Sequence, residues 1–174
     1  PDEARPGKSA AESVAGWAAE RGVSSLPNVR FIPPQEYISS YELIRRSQFV
    51  MIYNSTIGLE ASLMGAAVLC AGKARFTQLP TVFFPASREE YNRMAQSWLS
   101  QPEPIQPPAE HRLQARRFLY YQLFRTSLPF SRWLEEDGIW NGYVRLRDLQ
   151  PHDFAPAADP VLQALCSGIL DGQP

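Results

Sequence analysis

Phe49-Val50-Met51-Ile52-Tyr53 is a continuous apolar run of strand length. A strand without a polar face needs cover on both sides, which is the situation of a parallel strand flanked by helices. The next residues fit that setting. Asn54-Ser55-Thr56 interrupts the run, and a helical pattern then extends from Ile57 to Met64. Gly65 is placed to end the helix, and Ala66-Ala67-Val68-Leu69-Cys70 reads as a second buried strand. Strand, helix and strand joined by short turns make a βαβ unit with parallel strands, so the fold class is α/β.

The flanks extend the pattern. Ser9-Ala10-Ala11-Glu12 has the spacing of a capping box, and Val14, Trp17 and Ala18 follow at helical spacing. A helix from about residue 10 to about residue 21 is expected, ended by Gly22. Val29-Arg30-Phe31-Ile32 reads as a short strand stopped by Pro33-Pro34. Ser39 or Ser40 caps a second helix with Tyr41, Leu43 and Ile44, and Arg45 and Arg46 suit its negative end. After the central unit, Thr81-Val82-Phe83-Phe84 reads as a further strand closing at Pro85. Ser87-Arg88-Glu89-Glu90 is another capping box, opening a helix through Trp98.

Composition changes beyond Trp98. Pro102, Pro104, Pro107 and Pro108 make a stiff, extended connector. A helix is expected from Glu110 to Phe124, then a loop carrying Trp133, Trp140 and Tyr143. Asp159-Pro160 supplies the cap and first position of a last helix, with Val161, Leu162, Leu165 and Ile169 on its apolar face. The expected organisation is a ligand-binding α/β domain over residues 1–100, a proline-rich connector over 101–109 and a helical, aromatic-rich extension over 110–174. The opening Pro1-Asp2-Glu3-Ala4-Arg5-Pro6 has no methionine and reads as the middle of a longer protein.

Charge and length narrow the function. With 174 residues and 44% hydrophobic content, the chain has material for one cored domain and an appendage. It carries 17 basic and 18 acidic residues, a formal net charge of −1, without the basic excess of a nucleic-acid surface. No apolar run approaches the roughly 20 residues of a membrane span, and no signal-peptide pattern opens the sequence. Cys70 and Cys166 lie in no CxxC or Cys/His spacing and read as a strand-end thiol and a helix thiol in a reducing compartment. His111 and His152 have no ligand-spaced neighbours, so no protein metal site is expected. The expected location is the cytoplasm.

Chemistry concentrates in Tyr53 to Gly65, where a buried strand turns into a helix. Ligands of open α/β sheets bind at the carboxyl ends of strands, and a helix N-terminus there offers unpaired amides to a phosphate. Ser55 and Thr56 add hydroxyl donors without bulk, and Gly58 removes a Cβ where a ligand or a neighbouring strand comes close. Glu60 lies one turn beyond Thr56 on the same face, with Ile57, Ala61 and Met64 as the opposite, core-facing stripe. A carboxylate there would repel a phosphate in contact but accept from two hydroxyls of a sugar. Ordinary structural roles compete with this reading: Ser and Thr cap helices, and helical Glu is commonly solvated.

Glu60-Ala61-Ser62-Leu63-Met64-Gly65-Ala66-Ala67-Val68 resembles the E-A-x-x-x-G-x-P-V signature in the C-terminal domain of GT-B glycosyltransferases, with Ala67 in place of the proline. Asn54-Ser55-Thr56-x-Gly58 is similar to the small-residue phosphate turn of bacterial capsule polysaccharide biosynthesis proteins. Gly72-Lys73-Ala74-Arg75-Phe76 matches the segment those families place at the cleft edge. The resemblance covers Val29 to Leu99. It implies a Rossmann-like three-layer sandwich with a parallel sheet, the C-terminal half of a GT-B enzyme, followed by C-terminal helices. It also implies transfer of a sugar from a nucleotide-sugar to a surface glycan, with the nucleotide-sugar as donor substrate and no cofactor. Asn54, Ser55, Thr56 and Gly58 would then meet the donor phosphate, Glu60 the ribose, and Lys73 and Arg75 the diphosphate. The catalytic base would lie on a missing N-terminal domain, leaving this chain inactive alone.

Rival readings share these residues. A sugar-nucleotide epimerase or a polyol-phosphate transferase could use the same half-fold, and a scaffolding module of polysaccharide assembly could keep it without chemistry. Arg116-Arg117 with Tyr120-Tyr121 leaves open an anionic acceptor or a peripheral contact with the inner face of the membrane. The competing reading is an amphipathic helix packed on its own domain.

Overall fold

The computed structural model of the chain describes residues 11–33, 35–36, 38–138, 143–156 and 159–172. The chain divides into two compact units, Pro1–Arg116 and Arg117–Pro174. The fold is mixed α/β: the described residues form six α-helices, a parallel strand pair and an antiparallel strand pair.

The first unit is built on the strand–helix–strand kernel. Strand β1 (Val50–Ile52) pairs in parallel with β2 (Val68–Cys70), Val50 opposite Val68 and Ile52 opposite Cys70. Between them runs α3 (Ile57–Met64), ended by Gly65 at φ 90°, a left-handed position that suits glycine. Successive residues of β2 point to opposite faces. Val68 faces α3, its Cγ1 3.4 Å from where a Cβ on Gly58 would stand. Leu69 turns the other way, into a cluster with Ala67, Ala95 and Trp98. The last two belong to α4 (Arg88–Leu99), and Phe49 and Phe83 meet the Trp98 ring edge-on at 5.2 and 4.9 Å. This arrangement leaves β2 buried at all three residues. Strand β1 is less covered, with Met51 46% exposed.

Several expectations need correction. The parallel sheet has two strands among the described residues, not the sheet of a three-layer sandwich. The segment at Thr81 to Phe84 contributes only an isolated parallel bridge, Leu69 to Phe83, closed by Cys70 N to Phe83 O and Phe83 N to Val68 O, both 2.9 Å. Thr81 is taken up otherwise: its hydroxyl donates to Phe76 O, and its own carbonyl accepts from the Ser62 hydroxyl. Val29 to Ile32 forms no strand, because no neighbouring strand meets it and Val29 N instead closes a turn onto Leu26 O. Helix α3 is buried through Gly58, Leu59, Ala61 and Ser62, with Ile57 and Met64 only half-buried. A helix that touches two strands and the neighbouring α2 (Ser40–Arg46) loses solvent on more than one stripe.

Helix α1 (Val14–Glu20) is shorter than expected and is capped by Ser13, whose hydroxyl accepts from Gly16 N at 2.9 Å. Ser9, the expected cap, lies outside the described residues, as do Asp2, Glu3, Pro34 and Trp140. Gly22 follows the helix at φ 67°. The Ser87 cap of α4 is as expected, accepting from Glu90 N at 3.2 Å, while the Glu90 carboxylate accepts from Ala86 N. The proline-rich connector packs on the first unit, with Ile105 beside the Trp98 cluster and its amide bonded to Gln48 O. Helix α5 (Ala109–Phe124) carries the chain from one unit into the next, the division falling between Arg116 and Arg117.

The second unit contains a hairpin where the sequence suggested a loop. Strands β3 (Leu134–Glu136) and β4 (Val144–Leu146) pair antiparallel, and Arg145 bridges Glu135 at 2.7 Å across them. Trp133 is the buried centre, stacked on Phe154 at 6.1 Å, whereas Tyr143 is exposed. Asp159 caps α6 (Pro160–Leu170) by accepting from Val161 N at 2.8 Å and also pairs with Arg132 at 3.0 Å.

Gly58 and His111 provide tests of the first unit. A Cβ on residue 58 would stand 2.2 Å from Ile52 Cδ1. Gly58→Ala is expected to lower stability by about 1 kcal/mol, overpacking outweighing the better helix propensity of Ala. In an Ile52→Val background, which lacks the clashing methyl, the same change should instead stabilise; urea unfolding of the four-member cycle measures both signs. The His111 ring lies edge-on to Phe83 at 4.6 Å, and burial pulls its pKa below the ordinary value. The unfolded chain then binds the proton more readily than the folded one. Stability should be full above about pH 6.5 and fall as pH drops below it, and His111→Phe should flatten that decline in a pH series of urea midpoints.

Candidate functional site

Parallel strands deliver their following loops to one edge of a sheet, and here that edge gathers most of the residues singled out by sequence. Ala71 N donates to Ile52 O at 3.0 Å and Gly72 N to Tyr53 O at 2.6 Å, so the two chains leave the sheet side by side. The buried Cys70 thiol secures the same place, lying 3.1 Å from Tyr53 O and 3.2 Å from Gly72 O as donor. Burial pushes its pKa up, and the Gly72 contact opposes that more weakly. A buried, protonated thiol is a structural group rather than a nucleophile.

Asn54, Ser55 and Thr56 form the exposed turn into α3. The helix opens with Gly58 N donating to Ser55 O and Leu59 N to Thr56 O, both 3.0 Å. Neither hydroxyl caps it: Thr56, at the cap position, makes no side-chain bond to the helix, and none is made by Ser55 among the described residues. The amides of Thr56 and Ile57 likewise meet no protein acceptor there. Unused amides, two free hydroxyls and the positive end of the helix dipole make an electropositive turn.

Gly58 stands behind this turn, not in it. The room left by its missing side chain is filled by Ile52 and Val68, so its place is in helix–strand packing. Glu60, half-buried one turn further on, accepts a hydrogen bond at Oε2 from the Tyr41 hydroxyl of α2. That bond, and then the carboxylate charge, raise the Tyr41 pKa. The carboxylate is thereby held by one oxygen, with Oε1 left for another donor.

Lys73 and Arg75 are exposed in the loop after β2 and form no ion pair among the described residues. Their loop is nonetheless anchored. Arg75 opens a single 3-10 turn, Arg75–Gln78, whose Thr77 hydroxyl accepts from Ala74 N, and Phe76 is buried beneath it at 3% exposure. The structure thus brings Asn54, Ser55 and Thr56 to the same sheet edge as the loop bearing Lys73 and Arg75, with Glu60 behind them on α3. Sequence reasoning missed Tyr41, whose contact spans 19 positions, and gave no role of its own to Tyr53, although that residue opens the stretch it singled out.

Two cavities adjoin the sheet. One of about 240 Å³ lies at the opposite, amino-terminal edge, lined by Ile44, Arg45, Gly65, Ala66 and Ile105, and Arg45 is bonded to Glu42. Another of about 270 Å³ lies at the carboxyl edge between β2 and the start of α4, lined by Ala71, Phe84, Ser87, Arg88 and Tyr91. No group of three or more His, Cys, Asp and Glu side chains is placed to share a metal among the described residues. No helix among them is long and apolar enough to cross a membrane. No family model, curated protein or solved structure matches the chain.

The Tyr41–Glu60 contact predicts its own titration. A phenol whose folded pKa is raised contributes stability fully present below the ordinary phenol range, and loses it as pH rises through the raised value. Glu60→Gln should return Tyr41 towards its ordinary titration, and Tyr41→Phe should remove that titration step. Ring-carbon NMR of labelled tyrosine across alkaline pH reads both; an unchanged Tyr41 midpoint in Glu60→Gln would count against the contact.

Proposed function

We propose that the first unit is the donor-binding part of a glycosyltransferase that moves a sugar from a nucleotide-sugar onto a surface polysaccharide. The observation carrying this reading is the junction of two loops at the carboxyl edge of the parallel pair, one electropositive through free amides and hydroxyls, the other bearing Lys73 and Arg75. In the proposed complex the donor phosphates sit at the α3 turn against Ser55, Thr56 and the unused amides. The open oxygen of Glu60 accepts from the ribose hydroxyls, and Lys73 and Arg75 neutralise the diphosphate.

The chemistry asked of these groups is electrostatic. As the bond from anomeric carbon to phosphate breaks, negative charge grows on the leaving phosphate, and fixed amides and cations stabilise it without reorganising. The base that takes the proton of the acceptor hydroxyl belongs, in this proposal, to another domain, as does the acceptor site. The parallel pair and its bridging segment would form part of a larger Rossmann-like layer, in a protein working in the cytoplasm where activated sugars are made.

Thermal-shift and calorimetric titration against UDP, GDP, CMP, ADP and CDP tests the reading. One nucleotide should stabilise the protein by about 2.7 kcal/mol at a hundredfold excess over its Kd. Glu60→Ala should weaken that nucleotide about 10- to 100-fold, the range for a hydrogen bond to a charged group. A wild-type protein indifferent to every nucleotide would sink the proposal, and a Glu60→Ala protein that binds like wild type would remove Glu60 from it.

A further inference from the structure

Tyr53 is 72% exposed, yet its ring is not loose. A Cβ built on Gly72 would stand 2.9 Å from Cε2, 2.9 Å from Cζ and 3.1 Å from Cδ2 of that ring. Three adjacent ring atoms at nearly one distance put the glycine under the ring face; an approach to the ring edge would bring one atom close and leave its neighbours well behind. One face of the tyrosine therefore lies on the Gly72 backbone, which it buries, and any side chain at residue 72 would collide with it. Gly72 N to Tyr53 O at 2.6 Å and the Cys70 thiol on both carbonyls fix the backbones on either side of this contact.

The opposite ring face is open. No aromatic ring or cation covers it among the described residues. A tyrosine with one face seated on peptide and the other open offers a flat, amphipathic surface to a planar ligand. The residue also has a telling position: it is the last residue of the β1 run, immediately before Asn54-Ser55-Thr56, and its partner Gly72 immediately precedes Lys73. A flat ring is thus held at the meeting point of the free amides and the free cations.

We infer that Tyr53 is a stacking platform for the base of the bound nucleotide. This rests on the donor-site reading above and adds the base-binding surface to it. Stacking on one ring face favours any base without reading its hydrogen-bonding edge, so Tyr53 supplies affinity and leaves the choice of base to other groups. Glu60, one turn along α3 and held by Tyr41 of α2, is the group assigned to the ribose.

Calorimetric titration of the chain with the nucleotide that binds best, and with ribose 5-phosphate as its baseless counterpart, separates the roles. Tyr53→Leu, which keeps apolar cover over Gly72, should weaken the nucleotide about 5- to 150-fold, the range reported for loss of one base–aromatic stack. Ribose 5-phosphate should bind Tyr53→Leu as it binds wild type, and Tyr53→Phe should keep nucleotide affinity because it keeps the ring. Equal nucleotide affinity in wild type and Tyr53→Leu overturns the stacking role while leaving the donor site standing. Equal losses for nucleotide and ribose 5-phosphate overturn it too, since they mark a residue that merely shapes the loop. Failure of wild type to bind any nucleotide overturns both the platform and the reading beneath it.

Discussion

The seating of α3 on the parallel pair controls the rest of the first unit. At residue 58 the helix comes so near that a single methyl group would press on Ile52, and at Ser62 a hydroxyl ties it to the carbonyl of Thr81. A close helix makes a short turn sufficient between β1 and α3, so the helix opens right at the strand end. The same proximity buries Val68 and Cys70 on the α3 side of β2, and α4 with Trp98 covers Leu69 on the other. Helix cover on both faces is what a two-strand parallel pair needs, since its few ladder bonds carry little stability alone.

That packing also decides which groups remain free for a ligand. Gly58, Ala61 and Ser62 are committed inward, whereas the turn before α3 is exposed and Glu60 is half-buried. The half-buried carboxylate does not stand alone; Tyr41 from α2 holds one oxygen. An oriented acceptor loses less freedom when a second donor arrives than a swinging one does, which is the physical advantage of preorganisation. Across the edge, Phe76 and Thr77 anchor the loop that carries Lys73 and Arg75, leaving the cations themselves in solvent.

The second unit follows different rules. Its strands pair antiparallel, its buried apolar side chains among the described residues are Trp133 and Val161, and Trp133 borders an apolar cavity of about 220 Å³ with Phe154 and neighbouring leucines. Of its charged links, Arg145 to Glu135 joins the middles of the two strands, and Arg132 to Asp159 holds the residue that caps α6. Burial works to raise the Asp159 carboxyl, but the bonds it accepts from Val161, Arg132 and Leu162 prevail and hold its pKa below the ordinary value. The cap therefore stays charged at neutral pH and acts on the first turn of α6 through its dipole as well as its geometry.

The sequence by itself determined the local elements: α3 from Ile57 to Met64, its glycine stop, the Ser87 and Asp159 caps, and the parallel pair implied by two apolar runs around one helix. Those follow from periodicity and capping chemistry, which act within a few residues. It also singled out the strand-to-helix turn and Glu60 as the expected ligand site, the expectation on which the proposed function rests. Tertiary structure alone decided what pairing and proximity decide. Val29 to Ile32 has strand composition but no neighbour, Thr81 to Phe84 is diverted by the buried Thr81 hydroxyl, and Glu135 and Arg145 reveal a hairpin only by meeting. Likewise, Tyr41 on Glu60 and Tyr53 over Gly72 are contacts between residues 19 positions apart in both cases, a distance that no local pattern encodes and that only the packing of α2, β1 and β2 can close.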